Sequence, residues 1–155
     1  MDQPRWALVT GASSGLGVEY VRALARGGHN IVLVARNQDR LQTLAQEVER
    51  DFSVATEVMA ADLHTSRAVV RVAKRLSDAS RPIRVLVNNA GYGIGGDLAK
   101  SDPGVELNHL AIHITVPLEL TRAALPGMLE RGEGRVIFVS SVAGYLARGS
   151  YSANK

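Results

Sequence analysis

The chain has 155 residues, 46% of them hydrophobic and 21% charged, and a net charge of +3 from 18 basic and 15 acidic side chains. That is enough chain for one domain with a packed core, and a charge too mild and too scattered for a nucleic-acid surface. There is no cysteine, hence no disulfide framework and no thiolate metal site; MDQPRWALVTG does not read as a signal peptide and no apolar run reaches bilayer length, so the expectation is a cytoplasmic chain without membrane or nucleic-acid partners.

In chain order, strand-like and helix-like stretches alternate. WALVTG (6–11) is a short apolar run ending at glycine, a buried strand. LGVEYVRALARGG (16–28) has Val18, Val21, Leu24 and Ala25 on one side and a Gly-Gly stop, a helix. NIVLVAR (30–36) is a second buried strand, and Asn37 is placed to cap a helix over 38–52 with a Leu41, Leu44, Ala45 and Val48 stripe. ATEVMAADL (55–63) is a third strand, followed by a helix over 67–79 capped by Thr65 or Ser66. IRVLVNNAG (83–91) is a fourth strand, 92–103 a glycine-rich loop, about 104–131 one long helix containing Pro117 and Pro126, and RVIFVS (135–140) a fifth strand.

Strands that are apolar throughout, alternating with helices, predict an α/β fold with a parallel sheet covered on both faces. Right-handed crossovers make it doubly wound. No repeat, linker or low-complexity segment interrupts it, so residues 1–155 read as a single domain.

The first strand runs into TGASSGLG, Thr10 to Gly17, and a helix follows at once. Gly11 permits the tight turn, Gly15 lets backbone approach a pyrophosphate, and Gly17 lets the helix pack close on the strand. The helix N-terminus offers N–H groups and a positive dipole end to phosphate, with Ser13 and Ser14 as further donors. This is the pattern of a Rossmann-like dinucleotide-binding fold. The second strand ends in Ala35-Arg36, where an NAD-specific fold usually has an acidic residue for the ribose 2′-hydroxyl. A guanidinium there suits a 2′-phosphate, so the expected cofactor is NADP, with NAD possible.

TGASSGLG, NNAG at Asn88–Gly91, a serine in VSSVAG and the terminal YSANK occur in the order seen in short-chain dehydrogenases/reductases, and the chain resembles that family from its first strand to its last residue. The resemblance implies that Gly11, Ser13, Ser14, Gly15, Leu16 and Gly17 line the pyrophosphate. Asp62 and Leu63 would flank the adenine, while Asn88, Asn89, Ala90 and Gly91 would support the sheet centre and touch the cofactor ribose. Ser141, Tyr151 and Lys155 would be the reaction centre, with Tyr151 and Lys155 also against the cofactor. The chemistry is coherent. A free phenol, with a pKa of about 10, is a poor base near neutrality, and an ammonium at about 4 Å supplies roughly the 4 kcal/mol needed to bring it down by about three units. Tyr and Lys at i,i+4 share a helix face, and a serine hydroxyl would hold the carbonyl oxygen and the developing alkoxide. Ser140 is the weaker candidate, because the family's serine directly precedes the VAG-like turn.

Two departures stand out. Ser141 and Tyr151 are ten positions apart, shorter than most of the family, so VAGYLARGS must be tight, relieved by Gly144 and Gly149. The family also carries an asparagine on the long helix, eight residues before a threonine like Thr121, where it helps hold a water connecting the lysine to solvent. Here that position is His113; Asn108 lies five residues earlier, about 140° around a regular helix. Pro117 has no N–H to give the His113 carbonyl, which leaves that carbonyl for a water, and His113 joins the catalytic candidates. His109 and His113 form an i,i+4 pair, but no third ligand stands out and no metal site is expected.

The family continues past the lysine with further helix, two more strands and the segment that closes over substrate. The chain therefore reads as an N-terminal part of a longer enzyme or a truncated gene product, with YSANK too short for a helix of its own and RVIFVS left as an apolar open edge. The expected function is an NADP(H)-dependent oxidoreductase interconverting an alcohol and a ketone or aldehyde, with a small-molecule substrate and a homo-oligomeric full-length form. The alternative is a non-catalytic NAD(P)-binding module or inactive fragment.

Overall fold

The strands form because their apolar residues are needed on both sides. In β1 (Trp6–Thr10), Trp6 and Leu8 enter one hydrophobic cluster and Ala7 and Val9 the other, the period-two alternation of a sheet with two buried faces. The computed structural model describes residues 4–147 and 149–155. Its sheet joins β1 to β2 (Asn30–Ala35), β3 (Thr56–Ala60), β4 (Ile83–Asn88) and β5 (Arg135–Phe138), all parallel, in the order β3-β2-β1-β4-β5. Leu8 stands opposite Val32 on one side and Leu86 on the other.

Helices α1 (Leu16–Arg26) and α2 (Gln38–Phe52) bury Val21, Ala25, Leu41, Leu44 and Val48 against one face. Helix α3 (Ser66–Leu76) and α5 (Val116–Arg131) bury Val69, Val72, Leu76, Leu120 and Met128 against the other. The caps are local: the Asn37 side chain accepts from Arg40 N–H, and Thr65, rather than Ser66, accepts from Ala68 N–H. After β3 the chain crosses from one edge past β1 to begin β4 on its far side, so the winding reverses between β1 and β4 and opens a crevice at the carboxyl ends of the strands.

Three expectations are refined. The strands end earlier than their apolar runs. Beyond β3, Ala61 and Leu63 remain buried in the core, Ala61 keeping one backbone bond to Ala35 O (2.8 Å), and Asn89 and Ala90 beyond β4 are turned out of the sheet by bonds to the Thr10 side chain. The single helix over 104–131 is helical throughout but not regular. Helix α4 (Pro103–Leu110) passes through a π-helical turn, Ala111–Thr115, before α5, with Val116 N–H bonded to Ala111 O. Pro117 explains it, since its ring crowds the carbonyl four residues back and it offers no N–H, and a wider turn accommodates both. Helix α6 (Ser150–Asn154) does form, because it docks on α4. The edge strand is as expected: β5 pairs with β4 and leaves Phe138 58% exposed. Among the described residues, no helix is long and apolar enough to cross a membrane.

Candidate active site

The crevice is a cleft of about 740 Å3. Its floor is fixed by Thr10, the last residue of β1 and almost fully buried. The Thr10 hydroxyl donates to Val87 O (3.2 Å) and accepts from the backbone N–H groups of Asn89 and Ala90 (both 3.0 Å). The Asn89 carboxamide donates in return to Thr10 O (3.0 Å) and Gly11 O (3.3 Å). The glycine loop and the segment after β4 are thereby one rigid unit. Gly11 belongs to it because a β-carbon there would sit 2.8 Å from Asn89 Nδ2, and Gly17 because its β-carbon would overlap the Gly11 carbonyl. Gly15 has a φ of 54°, and a β-carbon on it would meet nothing within 4 Å, so bare backbone faces open space at the start of α1.

One end of the cleft holds Ser13, Ser14, Leu16, Arg36, Asp62 and Leu63. The Asp62 carboxylate accepts from His64 N–H (3.1 Å). Asn37, Arg40 and His64 also line this end. Arg40 follows Arg36 by four residues, so two guanidiniums reach the same wall. That spacing was available in the sequence.

The other end holds Asn89, Ala90, Gly91, Tyr92, His113, Ser140, Ser141, Tyr151 and Lys155. The Ser141 Oγ accepts from Ala143 N–H (3.1 Å) at the start of a short 3-10 turn, Val142–Tyr145, which leaves its own proton for a ligand. The Ser140 hydroxyl donates to Lys155 O (2.6 Å). The connection to Tyr151 is as tight as expected: Gly149 has a φ of 61°, and a β-carbon on Gly144 would come within 3.0 Å of the Lys155 backbone. Arg148 in this loop lies outside the described residues. The Lys155 ammonium donates to Val139 O (2.7 Å). Burial pushes its pKa down, opposed by its electrostatic interaction with Tyr151.

Two residues of the predicted set stand outside this cleft. Gly17 lies within α1, behind the loop. Asn88 is buried and donates from Nδ2 to Thr121 Oγ1 (3.2 Å), tying β4 to α5.

His113 is held by the backbone of Tyr92: its Nε2 is 3.3 Å from Tyr92 N and 2.9 Å from Tyr92 O. Its ring lies 5.9 Å from that of Tyr151 and 4.4 Å from that of His109. Burial first, then the nearby Lys155 ammonium, push its pKa down to about 4 despite the backbone bond, so the imidazole is neutral at physiological pH. Among the described residues there is no group of three or more metal-ligating side chains; both His109 nitrogens and His113 Nε2 face Tyr92 or Asn154. In the sequence Tyr92 carries no signal, Thr10 only opens the glycine loop and His109 only pairs with His113, because each works through contacts distant in the chain.

A family model described as short chain dehydrogenase matches residues 5–155. The chain is similar to the bulky-bulky ketone specific alcohol dehydrogenase from Comamonas testosteroni, with TM-score 0.93 and 32% identity over 100% of this chain and 63% of that one. It is similar to a short-chain dehydrogenase from Sphingobium yanoikuyae in complex with NADPH, with TM-score 0.92 and 34% identity over 98% of this chain and 60% of that one. Among curated proteins it is 31% identical over 140 residues to the human Inactive hydroxysteroid dehydrogenase-like protein 1, covering 88% of this chain and 42% of that protein. The chain spans about half the length of the curated relatives it matches, 42–48% for the first three.

Proposed function

The chain belongs to the short-chain dehydrogenase family, and from that premise we propose that it binds NADP(H) as one dinucleotide-binding unit and interconverts an alcohol and a ketone or aldehyde. The observation that carries this reading is the single cleft, lined at one end by Ser13, Gly15, Arg36 and Arg40 and at the other by Ser141, Tyr151 and Lys155. The open backbone at Gly15 suits a pyrophosphate. The two guanidiniums, at a strand end with no acidic residue, suit a 2′-phosphate better than a free hydroxyl. Asp62 and Leu63 would flank the adenine, and Asn89, Ala90 and Gly91 the nicotinamide ribose.

The cofactor, when bound, gives or takes a hydride at the substrate carbon. The remaining work falls to this chain. Tyr151 gives its phenolic proton to the carbonyl oxygen in reduction and recovers it in oxidation. Lys155 lowers the cost of the phenolate left behind, an attraction strengthened by the ammonium's partial burial. Ser141 directs its free proton at the same oxygen. His113 does not titrate near neutrality. Its proposed contribution is through its carbonyl, which Pro117 cannot bond, as an anchor for a water reaching Lys155. The exposed apolar side chains Leu107, Ile114, Leu118 and Leu129 along α4 and α5 support a homo-oligomeric full-length form.

A second reading, cofactor binding without turnover, is favoured by His113 in the asparagine position and by the inactive human relative. Titration with NADPH and NADH, followed by turnover on a panel of ketones and aldehydes, separates the two. Binding with turnover supports the reductase; binding alone supports the second reading; no binding of either cofactor overturns both.

A further inference from the structure

Helix α6 carries Tyr151 and leads directly into Lys155, yet it has only five residues, too few to persist without tertiary support. Two polar rungs join it to α4. Ser150 donates to the Glu106 carboxylate, and the Asn154 carboxamide lies 3.0 Å from His109 Nδ1. Glu106 and His109 are three apart on α4, Ser150 and Asn154 four apart on α6, so the rungs run along facing sides of the two helices. Tyr151 sits between them, its ring edge-on to His109 at 5.5 Å.

The proton arrangement at His109 follows from its partners. Its ring is fully buried, and Nε2 is 3.0 Å from Tyr92 O. A carbonyl only accepts, so Nε2 carries the proton; Nδ1 then accepts, and the Asn154 amide nitrogen donates to it. One side chain thereby fixes two parts of the cleft: helix α6 through Asn154, and the loop after β4 through Tyr92. That loop approaches the Tyr151 ring, since a β-carbon on Gly93 would stand 3.7 Å from it.

We propose that His109 is a positioning residue which sets the Tyr151–Lys155 helix against the loop after β4. The assignment rests on the reductase reading for its effect on turnover, but its geometry stands without it. The two bonds are separable by substitution: a glutamine amide reaches the place of Nε2 but not Nδ1, and an asparagine amide the place of Nδ1 but not Nε2.

The test uses His109→Gln, His109→Asn, Asn154→Ala and the His109→Gln/Asn154→Ala double variant. His109→Gln is expected to lower kcat about tenfold, with NADPH Kd and substrate KM changed less than about twofold. Asn154→Ala should match it, the double variant should be no worse than either single one, and His109→Asn, which keeps the Asn154 bond but gives up the Tyr92 one, should also lower kcat. Losses that multiply in the double variant, an unchanged kcat, or a parallel loss of NADPH binding would each overturn the proposal. If the wild-type chain turns over no carbonyl, the reductase reading fails, and nitrogen-15 NMR of His109 decides the positioning geometry. A neutral ring protonated on Nε2, with an Nδ1 shift that moves in Asn154→Ala, upholds it, whereas a proton on Nδ1 or no response to Asn154→Ala refutes it.

Discussion

Gly91 and His113 share one space: a β-carbon on Gly91 would overlap the His113 imidazole, with Nδ1 at 2.8 Å and Nε2 at 3.0 Å besides the still nearer Cε1. The bare Cα at the end of the NNAG segment is therefore matched to the ring standing where the family has asparagine. Gly91→Ala is expected to destabilise the fold by about 1–3 kcal/mol through overpacking. In a His113→Asn background, where the ring atoms are gone, the same substitution should cost much less. Thermal or urea unfolding of the two singles and the double measures the coupling; additive losses would mean that Gly91 is required by something other than His113.

The lowered pKa of His113 has a consequence for acid stability. The folded protein holds this imidazole neutral down to about 4, whereas the unfolded chain protonates it near 6.5. Between those values the unfolded state binds more protons, so stability rises with pH there. The contribution of His113 is complete above about pH 6.5 and is lost as pH falls towards 4. The ring is half exposed, so solvent tempers the size of the effect. Urea midpoints measured from pH 7.5 to 4.5 should fall less steeply in His113→Asn than in the wild type; parallel profiles would contradict the assignment.

In the proposed NADP(H) reading, cofactor preference rests on the two guanidiniums at the end of β2 and the start of α2. Arg36→Asp should weaken NADPH binding by about 10- to 100-fold, the worth of one or two charge-assisted bonds, while NADH binding changes little. Arg40→Ala should cost NADPH less than Arg36→Asp does. Fluorescence titration with both cofactors reads the ratio, and an unchanged preference in Arg36→Asp would remove the 2′-phosphate assignment.

At the proposed reaction centre, Tyr151→Phe should abolish turnover and leave NADPH binding nearly intact, since it removes the proposed proton donor alone. Lys155→Ala should impair both, because the ammonium interacts electrostatically with Tyr151 and lines the cleft proposed for the cofactor. Steady-state kinetics and binding on the same preparations check this; a Tyr151→Phe variant keeping most of its turnover would require another proton donor.

The sequence by itself determined the sheet and most of the cleft wall. Runs such as NIVLVAR and IRVLVN are apolar without interruption because both faces are covered, and the glycines of TGASSGLG are spaced for one turn, so each signal lies within a few neighbouring residues. Only the tertiary structure decided how these parts hold one another. Thr10 pins Asn89 across 79 positions, and His109 meets Asn154 across 45. Such bonds depend on which strand and helix ends meet in space, and no local period records that. The π turn lies between these extremes: Pro117 marks a missing N–H in the sequence, but the direction in which the helix yields was set by the packing of Ile112, Val116 and Leu120 against the sheet. The same packing leaves His113 facing Gly91 and Tyr92, buried enough to lose its charge, a state that its place in the sequence alone would not give it.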